Sequence, residues 1–279
     1  KLNNNQALSD LKYLKDYDQI LKILEPLALT TKRNYLSSIL VILRAYNKKS
    51  FDKVLDQYKK LLATLNEEYT NKIDSHEKSE KQEKNWMPLS DLKKGLKIYQ
   101  KEIKDREIKD KETLNKKDIN LLKKYLIVAL YTLQPPVRLN YSNMKIINSE
   151  KDIEPNKNYL LVKGRNKKTL IFQEYKTAKT NGRVDKPINK ELNSILNLYL
   201  KYHKSKYLLL DAKNNPITAN GLGKLITSSF EFTGKKITLN LLRHVYISSK
   251  LDLEAIKASK KMAEDMMHSI GMQEDYAKV

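Results

Sequence analysis

The chain of 279 residues has no cysteine, which excludes disulfides and thiolate metal sites. Histidine is scarce as well. His76, His203, His244 and His268 are the whole set, and none is spaced from another as a metal ligand would be. No metal and no other cofactor is therefore expected. No apolar run is long enough to cross a bilayer. No signal-peptide pattern opens the chain, and internal repeats are absent. The chain begins at Lys1 rather than Met, so it is expected to be part of a longer one.

Acidic residues are also in short supply. Asp and Glu number 33 against 54 Lys and Arg, giving a net charge of +21 and a pI near 9.7. Such an excess points to a polyanionic partner, with nucleic acid first. No basic amphipathic helix stands apart from the globular pattern, so a membrane surface is the weaker reading. An AT-rich genome also inflates lysine and asparagine, so the distribution of charge matters more than its total. Residues 1–84 carry 16 Lys and Arg against 12 Asp and Glu. Residues 85–279 carry 38 against 21, a net of +17.

Apolar content of 40% supports real cores, and the length allows one large or two smaller domains. Helical periodicity fills residues 6–24 until Glu25-Pro26 breaks it. Thr30 or Thr31 is placed to cap a second helix and Ser50 a third. Residues 1–75 thus read as a small helical domain. Residues 76–85 are charged and poor in apolar side chains, as a linker or exposed helix end would be. Residues 86–279 form the second domain. There Ser90-Asp91 caps a helix to about Asp110, and Asn115 or Lys116 opens another to Leu133. Short apolar runs at residues 158–162 and 169–172 flank a hairpin-like turn, and residues 184–188 follow Asn181-Gly182. These make a small antiparallel sheet. Helices are expected at residues 190–203, 218–232, 239–250 (capped by Thr238) and 254–267, with Gly271 as a stop. The fold class is mainly α with a small antiparallel β-sheet, an α+β architecture.

Five residues carry a chemistry. Arg138 ends Gln134-Pro135-Pro136-Val137-Arg138, after the apolar run of residues 125–133 that should be a buried helix. Lys176 lies in Tyr175-Lys176-Thr177. Arg243 lies in Asn240-Leu241-Leu242-Arg243-His244. His268 follows Met266-Met267, and Tyr276 comes eight residues later. A tyrosine phenol can attack a DNA phosphate and hold the covalent intermediate. Negative charge then grows on the non-bridging oxygens, and fixed cations there are the main source of catalysis. Arginine suits this because its planar fork matches two phosphate oxygens. The leaving 5′ oxygen needs a proton, which a lysine ammonium can supply. Asn240, Arg243 and His244 sit at i, i+3 and i+4, on one helix face. Taken singly each residue is ordinary: a surface arginine, a structural histidine, one of seventeen tyrosines. The weight lies in their order and contexts.

With this set the chain resembles the tyrosine recombinases, and most of all the integrases of virophages and giant viruses. The resemblance implies a helical core-binding domain that clamps DNA and a catalytic domain bearing Arg138, Lys176, Arg243, His268 and Tyr276. It implies cleavage and rejoining of DNA through a 3′-phosphotyrosine, with Asn240 and His244 assisting at the phosphate. Many relatives have histidine where this chain has Asn240, and glutamate where it has Tyr141. Family members carry the catalytic lysine on a hairpin; Lys179 is the rival of Lys176 for that role. The expected partner is duplex DNA, contacted also by Thr31, Lys32, Arg33, Lys163, Arg165 and Lys179. A homotetramer on DNA, monomeric or weakly associated without it, follows from the same likeness. So does a place inside the cell: host nucleus or viral factory for a viral protein, cytoplasm otherwise. A type IB topoisomerase uses a very similar site, and a DNA-binding protein derived from a recombinase would keep the charge but lose the nucleophile or an arginine.

Overall fold

The computed structural model describes residues 10–276. They divide into two compact units, with the boundary between Ser79 and Glu80. Among the described residues no helix is long and apolar enough to cross a membrane.

The first unit is helical. A 3-10 turn at Lys12–Lys15 precedes α1 (Tyr17–Leu24). One unbroken helix over residues 6–24 is not what forms; part of that range, residues 6–9, lies outside the described residues. Asp16 leaves helical geometry, and its carboxylate accepts from Gln19 N–H at 3.0 Å. An aspartate does more at a cap than inside a helix, so the chain breaks there. Helix α2 (Leu29–Tyr46) starts from Ala28, whose carbonyl takes the Thr31 and Lys32 amides. Thr30 and Thr31 therefore lie inside the first turn and do not cap it. Asn47, in the left-handed region at φ 46°, ends α2. Helix α3 (Asp52–Asp74) begins after a 3-10 turn that contains Ser50, so Ser50 is not its cap either. The turn buries the Phe51 ring, and that burial sets where α3 can start. Leu36, Ile39, Leu14 and Tyr58 form the centre of this core, with the Tyr58 hydroxyl donating to Leu14 O at 2.8 Å.

The second unit opens with α4 (Glu80–Asn85), within the stretch read as linker or helix end. Helix α5 (Leu89–Asp105) starts from Pro88 rather than Ser90-Asp91 and stops well before Asp110. Glu107 turns left-handed at φ 50°, which drops Ile108 into the core. Helix α6 (Lys116–Thr132) is capped by Asn115, whose side chain accepts from Asp118 N–H. Leu126 to Tyr131 are fully buried, so α6 is the axis of this unit.

The sheet has four strands in sequence order: β1 (Lys145–Ile147), β2 (Tyr159–Val162), β3 (Lys168–Phe172) and β4 (Val184–Pro187). The β2–β3 and β3–β4 pairs are antiparallel, but β1 runs parallel to β2. The sheet is thus mixed, not antiparallel. Three residues are too few to show a period-two pattern, so β1 was invisible in the sequence. The short helix α7 (Ala178–Asn181) joins β3 to β4. Four helices follow: α8 (Lys190–Tyr202), α9 (Ala219–Ser229), α10 (Leu239–Ser248) and α11 (Leu253–Asp265). Asn189, Thr218, Thr238 and Asp252 cap them in turn. The last helix is α12 (Ile270–Tyr276).

Gly271 is inside α12 and does not stop α11. The stop is Met267, at φ 57°. His268 N–H bonds Ala263 O and Met267 N–H bonds Glu264 O, both at 3.0 Å, the paired bonds of a Schellman ending. A side chain in this left-handed position costs about 1 kcal/mol, and Met267 is 95% exposed, so its side chain returns little packing. Met267→Gly should tighten this ending. Slower amide exchange at His268 N–H is the expected readout; faster or unchanged exchange would contradict it.

Candidate active site

Arg138 is exposed on the loop that follows α6, six residues past its last turn rather than at the helix end itself. The loop is fixed from beneath. Tyr131 hydroxyl donates to Arg138 O at 3.2 Å, and Gln134 Nε2 donates to the Tyr141 hydroxyl at 2.6 Å. Tyr141 is fully buried, edge-on to Tyr131 and Phe172. Burial pushes its phenol well above the ordinary range. Tyr141 is thus a core anchor beneath the Arg138 loop.

Lys176 lies beside the sheet, in the turn between β3 and α7, and Lys179 lies on α7; both are exposed. The Lys176 turn and the Arg138 loop are tied together through Asn158. This residue is 6% exposed, and both ends of its side-chain amide are fully engaged. Its Nδ2 donates to Asn140 O and Glu174 O, and its Oδ1 accepts from the Gln173 and Glu174 amides, all between 2.9 and 3.1 Å. Asn140 Nδ2 adds a bond to Glu174 O at 2.9 Å. Asn140 is two residues after Arg138 and Glu174 two before Lys176. Sequence reasoning missed Asn158 because it looked like the first residue of a strand. The only available signal was a polar residue at the head of an apolar run. Asn158→Ala leaves four backbone groups without this partner, so a stability loss of at least about 2 kcal/mol is expected. Chemical denaturation measures it, and a loss under about 0.5 kcal/mol, the range of a neutral surface change, would mean water replaces the amide.

Arg243 is half-buried on α10. Thr238 Oγ1 accepts from Leu241 N–H, and Leu241, Leu242 and Val245 go into the core. That leaves Asn240 and His244 exposed, with Arg243 on the border. The helix therefore holds a cation at the rim of a rigid core, flanked by two further hydrogen-bonding side chains.

His268 comes directly after the Schellman ending. Ser269 then starts α12, its Oγ accepting from Met272 N–H. Two helical turns carry Tyr276 back to His268, with ring centroids 5.9 Å apart and the planes tilted by 56°. His268 Nδ1 lies 3.2 Å from Ser269 O. A carbonyl only accepts, so Nδ1 is the donor in this contact, and Nε2 is left as the atom that can meet a further partner. That Nε2 atom is buried and, among the described residues, has no hydrogen-bond partner. Tyr276 itself is 67% exposed.

The structure thus joins the Arg138 and Lys176 segments by one hydrogen-bond network, and His268 and Tyr276 by ring contact. Among the described residues, no hydrogen bond or ion pair links Arg138, Lys176 and Arg243 to one another or to the histidine–tyrosine pair. The other expected contact residues vary. Thr31, Lys32 and Arg33 are half-buried in the first turns of α2. Arg33 stacks on Tyr69 at 3.8 Å and donates from Nε to Asn66 Oδ1, leaving its outer Nη groups to act. Lys163 is paired with Glu150 at 2.5 Å, so a phosphate would have to displace that carboxylate. Arg165 is exposed in the β2–β3 turn. Among the described residues, no group of three or more His, Asp or Glu side chains is placed to hold a metal ion. Comparison with family models, characterised proteins and solved structures gave no match to this chain.

Proposed function

We propose that this protein cleaves and rejoins duplex DNA through a covalent phosphotyrosine at Tyr276, as a site-specific recombinase or integrase. The observation that carries the reading is the His268–Tyr276 pair, in which a buried ring nitrogen without a hydrogen-bond partner among the described residues belongs to the ring packed beside an exposed phenol. The Tyr276 oxygen attacks phosphorus as its proton passes to the neighbouring His268 ring, and the bond from phosphorus to the 5′ oxygen breaks. The DNA 5′ oxygen leaves with a proton from Lys176. Arg138 and Arg243 neutralise the non-bridging oxygens, and their charge is permanent. Religation reverses each step, with a 5′ hydroxyl from the same or another duplex as the nucleophile.

The basic excess of residues 85–279 suits a duplex partner. Assembly as a homotetramer on DNA belongs to the same proposal. The test is a duplex nicked close to the cleavage position, so that the short leaving strand diffuses away. A denaturation-resistant protein–DNA adduct is the expected product. Its absence across a library of nicked sequences, with binding intact, would reject strand transfer and leave a DNA-binding protein.

A further inference from the structure

The β2–β3 turn and α8 enclose a cleft of about 740 Å³ that the strand-transfer chemistry does not use. Four cations line it, Lys109, Arg165, Lys168 and Lys201, together with the neutral polar side chains Ser194 and Asn197. No carboxylate is among its lining residues. Gly164 stands at its lip with φ 146°, and a Cβ there would meet nothing within 4 Å, so a ligand oxygen has open access to the turn's backbone.

Lys168 is the unusual member. It is 5% exposed, yet among the described residues no carboxylate pairs with its ammonium. Nζ donates to Arg165 O at 2.7 Å, Asn193 Oδ1 at 2.9 Å, Asn197 Oδ1 at 2.5 Å and, more weakly, Gly164 O at 3.5 Å. All four acceptors are neutral. Burial, and then the neighbouring Arg165 charge, hold its pKa below the ordinary lysine value. Its hydrogen bonds are satisfied and its charge is not, which is costly for a buried ion. An anion in the cleft would supply the missing charge.

The cleft is also remote from the candidate active site. Lys168 opens β3 and Lys176 follows its other end, so the strand alone separates them by about 13 Å. Lys109 precedes α6 and Arg138 follows it, and the 17 residues of α6 span about 25 Å.

We propose that this cleft is a second, non-catalytic binding site for a phosphate group, held by Arg165 and Lys201 over the buried charge of Lys168. A phosphate monoester dianion or a diester fits because its oxygens are acceptors only, and Arg165, Lys201, the Asn197 amide group and the turn amides are donors. Lys168 staples the turn to α8, so its removal would test folding as much as binding. Arg165 and Lys201 are exposed and can be changed without opening the core.

The test is titration of the full chain, labelled with ¹⁵N, with inorganic pyrophosphate and separately with a short DNA duplex. Saturable shifts are expected at the amides of Gly164, Arg165 and Ser194. Pyrophosphate affinity should fall at least about ten-fold in Arg165→Gln/Lys201→Gln, the scale of one lost charge-assisted hydrogen bond. Lys157→Gln/Lys257→Gln, which removes two lysines paired with Glu154 and Glu254, should bind as wild type does. If the duplex displaces pyrophosphate, the phosphate comes from a DNA backbone. If pyrophosphate remains bound beside the duplex, the ligand is a free phosphorylated molecule. No saturable shift at these amides with either probe, or unchanged affinity in the double variant, overturns the proposal. Adduct formation at Tyr276 is read separately, so a failure here leaves the strand-transfer reading standing.

Discussion

Tyr276→Phe is expected to abolish the covalent adduct completely while DNA affinity stays close to wild type. The substitution removes one oxygen. The ring is 67% exposed and keeps its contact with His268, so neither packing nor the fold of α12 should change. What is lost is the nucleophile, and water in its place cannot leave the DNA attached to protein. The measurement is denaturing electrophoresis of the nicked-duplex reaction, with affinity followed in parallel. An adduct that persists in Tyr276→Phe would overturn the assignment. Tyr246, half-buried on α10 three residues after Arg243, would be tested next.

Arg243→Ala is expected to slow single-turnover cleavage by about 10²–10³-fold, the usual consequence of removing one charge-stabilising donor. Binding of uncleaved DNA should fall far less, because one phosphate contact among many is lost. Alanine is the best helix former, and the core contacts of α10 belong to Leu241, Leu242 and Val245, so the helix should survive. Arg243→Lys keeps the charge but loses the planar fork, and it should recover only part of the rate. Arg138→Ala should behave as Arg243→Ala does. Cleavage by Arg243→Ala at nearly the wild-type rate would remove this residue from the site.

The helices of the second unit were legible where a capping side chain coincided with the start of an apolar stripe. Asn115, Thr218 and Thr238 all cap where the spacing placed them. The errors have a common cause. At Ala28, Pro88 and Phe51 the helix start is set by backbone geometry or by an aromatic ring going into the core, and no polar cap marks it. Met267 is an equally silent stop, because nothing in a methionine announces a left-handed turn. The parallel strand β1 depends on pairing with β2, across a connection of eleven residues, and no local pattern encodes that. For the candidate site, the order of chemical groups could be read directly. The network through Asn158 could not, since it depends on loops distant in sequence meeting in space.

The sheet described above also bears on how the protein behaves when crowded. Its β1 edge is already covered by the segment around Tyr207, with Ile146 N–H bonded to Lys206 O and Leu208 N–H to Met144 O. The other edge is β4, Val184-Asp185-Lys186-Pro187. Pro187 offers no amide proton, and Arg183 and Asp185 form a forked ion pair at the strand's outset. An incoming strand would find few open amides and would have to desolvate paired charges. Edge-to-edge stacking, the usual route from a small sheet to fibrils, is closed on both sides. Many copies can therefore be crowded together without their sheets fusing.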